Sequence, residues 1–136
     1  YEDICKSLNC IPELPMVKAT DFISDMGAAY SAADIVISRA GASSISEFCL
    51  IGKPVILVPS PNVAEDHQTQ NAMALVNKNA AIYVKDAEAT KVLLDRAIAT
   101  VKDEAKLQSL RTNILTLGVA NSAETIAEEV IKLATR

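Results

Sequence analysis

The sequence contains no tryptophan, a single histidine, three cysteines and no apolar run of membrane-spanning length. Each scarcity removes a class of chemistry. The cysteines, Cys5, Cys10 and Cys49, stand in no Cys-x-x-Cys or Cys/His spacing, and with one imidazole in the chain a zinc site of Cys and His ligands is excluded. Without a disulfide framework, reduced thiols and a cytoplasmic setting are the expectation. The longest apolar stretches, such as Pro54 to Pro59, fall far short of the roughly 18 to 20 residues that a spanning helix needs. Basic residues are in the minority. Thirteen Lys plus Arg against seventeen Asp plus Glu leave a formal net charge of −4, which disfavours nucleic acid as a partner and gives this chain no basic surface for an anionic bilayer. The four glycines and five prolines are scattered singly, so linkers, repeats and low-complexity tracts are ruled out. No basic-then-apolar leader is present, the first residue is Tyr1, and Tyr1 to Ser7 reads as the tail of a helix. A piece of a longer chain is expected.

What is present is a strong alternation. With 136 residues, half of them hydrophobic and 22% charged, the chain has the profile of one globular domain, residues 1–136. Short apolar, β-branched runs at Met16–Ala19, Asp34–Ser38, Pro54–Pro59 and Ala81–Lys85 predict buried parallel strands. Between them, Ser24–Ala33, Ala42–Ile51 and Glu65–Asn77 carry apolar residues at helical spacing, with Gly52 and Asn77 to Asn79 as stops. After Asp86 the pattern is helical only, over Thr90–Val101, Glu104–Leu117 and Ser122–Ala134. Strand, helix, strand in repetition is the grammar of an α/β fold: a Rossmann-like parallel sheet with helices on both faces, which binds ligands beyond the carboxyl ends of its strands.

Two such strand ends carry chemistry. Ser38-Arg39-Ala40-Gly41-Ala42 leads from a strand into a helix, where glycine admits a close ligand and free helix amides favour a phosphate. It is neither a Walker loop nor a GxGxxG fingerprint. In the helix that follows, Glu47 has the acceptor-only chemistry that takes both hydroxyls of a ribose, but its spacing from Ser44 also fits a capping box. Arg39 ends a strand, so its guanidinium must meet an acid, Asp34 or Asp66, or else a ligand phosphate. The second strand end, Pro59 to Pro61, opens into a helix on which Gln68 and Asn71 share one face and offer uncharged donors and acceptors suited to a sugar, or simply to solvent. His67 lies beside them with no triad-like Ser or Cys around it. Cys49 sits with Ile45 and Phe48 on an apolar helix face and reads as core rather than nucleophile; Glu128-Glu129 reads as a solvated face.

The ordered series Phe22-Ile23-Ser24-Asp25-Met26, Ala33-Asp34, Ser38-Arg39-Ala40-Gly41-Ala42 with Glu47, Gly52-Lys53-Pro54 and His67-Gln68 with Asn71 resembles the MurG family from about residue 16 to the end. These are UDP-N-acetylglucosamine:N-acetylmuramyl-(pentapeptide) pyrophosphoryl-undecaprenol N-acetylglucosaminyltransferases of the GT-B architecture. The resemblance implies the C-terminal, donor-binding half of a metal-independent, inverting enzyme of peptidoglycan synthesis that needs no cofactor. Ile23 would present its backbone to uracil, Met26 would line the nucleotide pocket, and Glu47 would bind the ribose. Ser38, Arg39, Ala40, Gly41 and Ala42 would approach the diphosphate, and His67, Gln68 and Asn71 would hold the N-acetylglucosamine; some members carry glutamine where this chain has His67. The lipid-linked acceptor, the general base and a patch facing the cytoplasmic side of the inner membrane belong to an N-terminal domain outside this sequence, as does a Gly-Gly-Ser loop that contacts phosphate. No catalysis is therefore expected of this chain alone. Its open sheet edge favours self-association, and the last helix resembles the GT-B segment that packs toward the partner domain. Two other readings stay open. One is a different GT-B nucleotide-sugar enzyme, such as a UDP-N-acetylglucosamine epimerase with acids Glu65 and Asp66 near His67, or the donor half of a two-subunit transferase; the other is a non-catalytic UDP-sugar-binding module.

Overall fold

A computed structural model describes residues 18, 20–62 and 66–135. The chain forms two compact units, 1–32 and 33–136. Within the first, the described residues contain helix α1, Met26–Ala32. It starts where Asp25 accepts a hydrogen bond from the Ala28 amide at 2.8 Å, the usual work of an N-cap carboxylate. Of the expected strand Met16–Ala19 only Lys18 lies among the described residues, and it is not in a strand; the helical tail Tyr1–Ser7 lies outside them.

The second unit holds three strands, β1 (Val36–Ser38), β2 (Val55–Leu57) and β3 (Ile82–Tyr83), parallel and in that order. Val36, Ile37 and Ser38 pair with Val55, Ile56 and Leu57; Ile56 and Leu57 pair with Ile82 and Tyr83. Helix α2 (Ala42–Ile51) makes the first crossover and α3 (His67–Val76) the second. Right-handed connections running the same way put both on one face of the sheet, where α2 and α3 touch. The opposite face is covered by α4 (Asp86–Val101), whose Ala97, Ala89, Val92 and Leu93 pack on Ile56, Val58 and Val84. Two further helices follow, α5 (Glu104–Leu115) and α6 (Ser122–Ala134).

The strands are shorter than their apolar runs, and their burial follows their place in the sheet. Central β2 is wholly buried, with Val55, Ile56 and Leu57 at 0% exposure. Among the described residues β1 pairs on one side only, and the expectation that it too would be covered fails: Ile37 is 45% exposed. Helix α4 begins at Asp86 rather than Thr90, because Asp86 and Glu88 in its first turn complement the positive helix end. Helix α5 is capped by Asp103, which accepts from the Lys106 amide at 3.0 Å. Helix α6 buries no side chain, and Ile126, Val130, Ile131 and Leu133 are each about 60–70% exposed.

Gly52 decides where α2 ends. Its φ of 66° is left-handed and its amide returns to the Phe48 carbonyl, the glycine-terminated helix end that turns the chain sharply into β2. A Cβ there would lie 2.6 Å from Cγ of Leu115 on α5. Gly52→Ala therefore combines left-handed strain with a clash, and urea unfolding is expected to show a loss of at least about 1–2 kcal/mol; an unchanged midpoint would contradict this account of the turn.

Candidate functional site

The carboxyl ends of β1, β2 and β3 lie side by side because the strands are parallel and in register, and the loops that leave them form one edge. At the first, α2 starts at Ala42 with Gly41 as N-cap in extended conformation and with no side chain capping it. The first helical bond runs from the Ile45 amide to the Gly41 carbonyl at 3.0 Å. The amides of Ala42, Ser43 and Ser44 precede that bond, so they have no partner within the helix and present the partial positive charge that attracts an anion. Because the helix begins before Ser44, Ser44 and Glu47 lie inside it and do not form the capping box that their spacing allowed. Glu47 is exposed one and a half turns from the helix start, on the face that Ser43 and Ser44 share by helical spacing.

Arg39 and α3 tie the three strand ends together. The Arg39 Nη1 donates to the carbonyls of Val58 at 3.1 Å and Pro59 at 3.3 Å, past the end of β2. It also pairs with the carboxylate of Asp86, past the end of β3. This corrects the expected acid, since neither Asp34 nor Asp66 fills that place; Asp86 starts α4 and stands 47 residues further along the chain. The Arg39 side chain is more than half exposed. From α3, Oε1 of Gln68 accepts from the amides of Ala40 at 3.2 Å and Ser60 at 2.9 Å, and Nδ2 of Asn71 donates to the Ala40 carbonyl at 3.2 Å. Ala40 itself is fully buried. Ser38 turns its hydroxyl to the Arg39 carbonyl at 2.9 Å.

The structure thus brings Ser38, Arg39, Ala40, Gly41, Ala42, Gln68 and Asn71 to one edge, with Glu47 on the helix that leaves it and His67 exposed at the first position of α3. Asp66, in the left-handed region at φ 53°, makes the turn into that helix without capping it. Ile23 and Met26 belong to the first unit. They line an open hollow of about 590 Å³ with Phe22, Asp21, Thr20 and Lys18, and all three apolar side chains are substantially exposed, Phe22 most of all.

Cys49 is buried in the second unit. Burial pushes its thiol above the ordinary value of 9.0, against a weaker pull downward from the Lys78 ammonium. A nucleophilic cysteine needs the opposite shift, so this one is a packing residue. It borders a cleft of about 500 Å³ between α2 and α3, with Leu50, Leu75, Lys78 and Val119 among its walls.

An uncapped helix start at the carboxyl edge of a parallel sheet, with an acidic residue on the same helix, is the layout of a nucleotide-binding Rossmann-like domain. The chain belongs to the family of glycosyltransferase family 28 C-terminal domains, which it matches over residues 3–130. Among its relatives, the UDP-N-acetylglucosamine–N-acetylmuramyl-(pentapeptide) pyrophosphoryl-undecaprenol N-acetylglucosamine transferase of Phocaeicola vulgatus is 70% identical over 122 residues, covering 90% of this chain and 32% of that protein. The protein of the same name from Bacteroides thetaiotaomicron is 61% identical over 134 residues, covering 98% of this chain and 36% of that protein. A crystal structure of MurG from Acinetobacter baumannii superposes with a TM-score of 0.81 at 27% identity, covering 96% of this chain and 40% of that one. The fold is thus that of a GT-B C-terminal domain, and the chain spans about a third of the length of the curated relatives it matches.

Two measurements check the site's construction. In a double-mutant cycle of Arg39→Met and Asp86→Asn, a coupling of about 0.5–1 kcal/mol is expected, because the pair is part-exposed and screened; zero coupling would mean that the ion pair does not form in solution. For Cys49, the folded chain keeps its thiol proton to a higher pH than the unfolded chain, so stability falls as pH rises past 9.0. Cys49→Ser is expected to flatten that fall, and iodoacetamide at pH 8 should label Cys49 far more slowly in the folded than in the urea-unfolded chain.

Proposed function

We propose that this chain is the donor-binding part of an inverting, metal-independent N-acetylglucosaminyltransferase. Residues 1–136 would act as one UDP-N-acetylglucosamine-binding domain. The acceptor is the undecaprenyl-pyrophosphoryl-N-acetylmuramyl-pentapeptide of peptidoglycan synthesis, held by a domain outside this chain at the cytoplasmic face of the membrane. No helix among the described residues is long and apolar enough to cross a membrane, so attachment to that surface would come through the other domain. Self-association of the chain, at the side of the sheet where Ile37 on β1 is exposed, is part of the same proposal.

The observation that carries the reading is the uncapped start of α2 beside Arg39, with Glu47 on the same helix. In the displacement, an acceptor hydroxyl oxygen bonds to the anomeric carbon from the face opposite the diphosphate. The bond to the diphosphate breaks, the hydroxyl proton passes to a base on the other domain, and UDP leaves. The negative charge that grows on the departing diphosphate is met by fixed donors, the amides of Ala42, Ser43 and Ser44, and by the charge of the Arg39 guanidinium, which need no reorganisation during the step. Glu47 accepts from the ribose hydroxyls, Ile23 and Met26 serve the uracil, and His67, Gln68 and Asn71 serve the sugar. The chain supplies the leaving-group half of catalysis and neither nucleophile nor base.

Calorimetric titration with UDP-N-acetylglucosamine, UDP-glucose and UDP tests this. Saturable binding is expected, with preference for the N-acetylated sugar, and Glu47→Ala should weaken UDP by about 1–3 kcal/mol, the usual loss when buried hydroxyls are left without their acceptor. Absence of UDP binding by a folded wild-type chain would overturn the reading.

A further inference from the structure

The sugar-side residues do more in this structure than line a pocket. The Ala40 peptide lies after β1 and before α2, outside both, so neither its N–H nor its C=O has a ladder or helix partner, and the residue is fully buried. An unpaired peptide in such a place is costly. Both groups are satisfied from α3: the N–H by Oε1 of Gln68 and the C=O by Nδ2 of Asn71, each at 3.2 Å. The same Gln68 oxygen takes the Ser60 amide at 2.9 Å. One oxygen therefore fastens the loop after β1 to the loop after β2. Its orientation is determined by chemistry, because both partners are N–H donors and the –NH₂ end of the side chain would face them with no acceptor.

We infer that Gln68 is a positioning residue: by holding the Ala40 and Ser60 amides it sets the place of the α2 N-terminus, and so governs the grip on the diphosphate from a helix that the sugar side of the site also uses. This rests on the donor-binding reading and deepens it. The arrangement also fixes polarity. With its Oε1 taken by two amides, Gln68 turns its –NH₂ away from them, while Asn71 gives one of its two Nδ2 hydrogens to Ala40 and keeps Oδ1 and the second N–H. A residue that only touched the sugar would leave the affinity for UDP, which has no sugar there, unchanged.

The test compares the full chain with Gln68→Leu and Gln68→Glu by amide hydrogen exchange and by titration with UDP. Leucine removes the acceptor, and exchange at Ala40 and Ser60 is expected to quicken by about tenfold or more, with UDP binding weakened by about fivefold or more, as befits one buried and one half-buried donor left unpaired. Glutamate keeps an acceptor oxygen and should retain the protection of both amides, which gives an answer even if the leucine variant does not fold. Unchanged exchange in folded Gln68→Leu, or lost protection in folded Gln68→Glu, overturns the clamp. Quickened exchange with unaltered UDP affinity overturns the positioning role. If the wild-type chain takes up no UDP, the donor-binding reading and with it the positioning role fail, while the exchange comparison still decides whether Gln68 holds the two loops.

Discussion

Where a parallel strand ends, its last peptides lose the ladder but have not yet joined a helix, and in a buried sheet there is no water to replace either partner. Three strands end together in this fold, so the problem arises three times along one edge. The solution is side chains acting as backbone. Arg39 supplies donors to the carbonyls of Val58 and Pro59, Gln68 supplies an acceptor to Ala40 and Ser60, and Asn71 supplies a donor to Ala40. Each of these side chains comes from a different strand or helix than the groups it serves, apart from Ser60, which leads into α3. The edge is thereby cross-linked without a covalent bond, and the uncapped amides of α2 are aimed by that lattice.

The same constraint explains how much of the protein could be read before folding. The βαβ alternation was legible because it is local: short, nearly continuous apolar runs, helical spacing between them, and Gly52 as a stop. The Ser38 to Ala42 turn and the place of Glu47 were legible for the same reason, as residues on either side of one strand end. That Arg39 needed an anionic partner, an acid or a ligand phosphate, was legible from the cost of a bare guanidinium at a strand end. Which acid was not, because Asp86 reaches it only after two crossovers have laid β3 beside β2. Likewise Gln68 and Asn71 showed their shared face but not that the oxygen of Gln68 is taken by Ala40 and Ser60 and one N–H of Asn71 by Ala40. Local pattern gives a side chain's chemistry, and only the tertiary fold says how much of it is left over.

Burial was misjudged where position in the sheet outweighs composition. Val36 and Ile37 are as apolar as Val55 and Ile56, yet β2 is buried throughout and β1, among the described residues, has a neighbour on one side only. Helix α2 starts at Ala42, where the spacing puts it, and the capping box that Ser44 and Glu47 offered does not form because both lie inside the helix.

Helix α6 stands apart from this economy. It is thirteen residues long and buries none of them, a length at which isolated helices are marginal in water. Its apolar stripe of Ile126, Val130 and Ile131 lies exposed, so burial contributes little to holding this helix. Such a segment opens and closes at the low end of the stability scale. Anything that covers the stripe would be rewarded with a formed helix, so that for this last part of the chain being folded and being covered are close to one event.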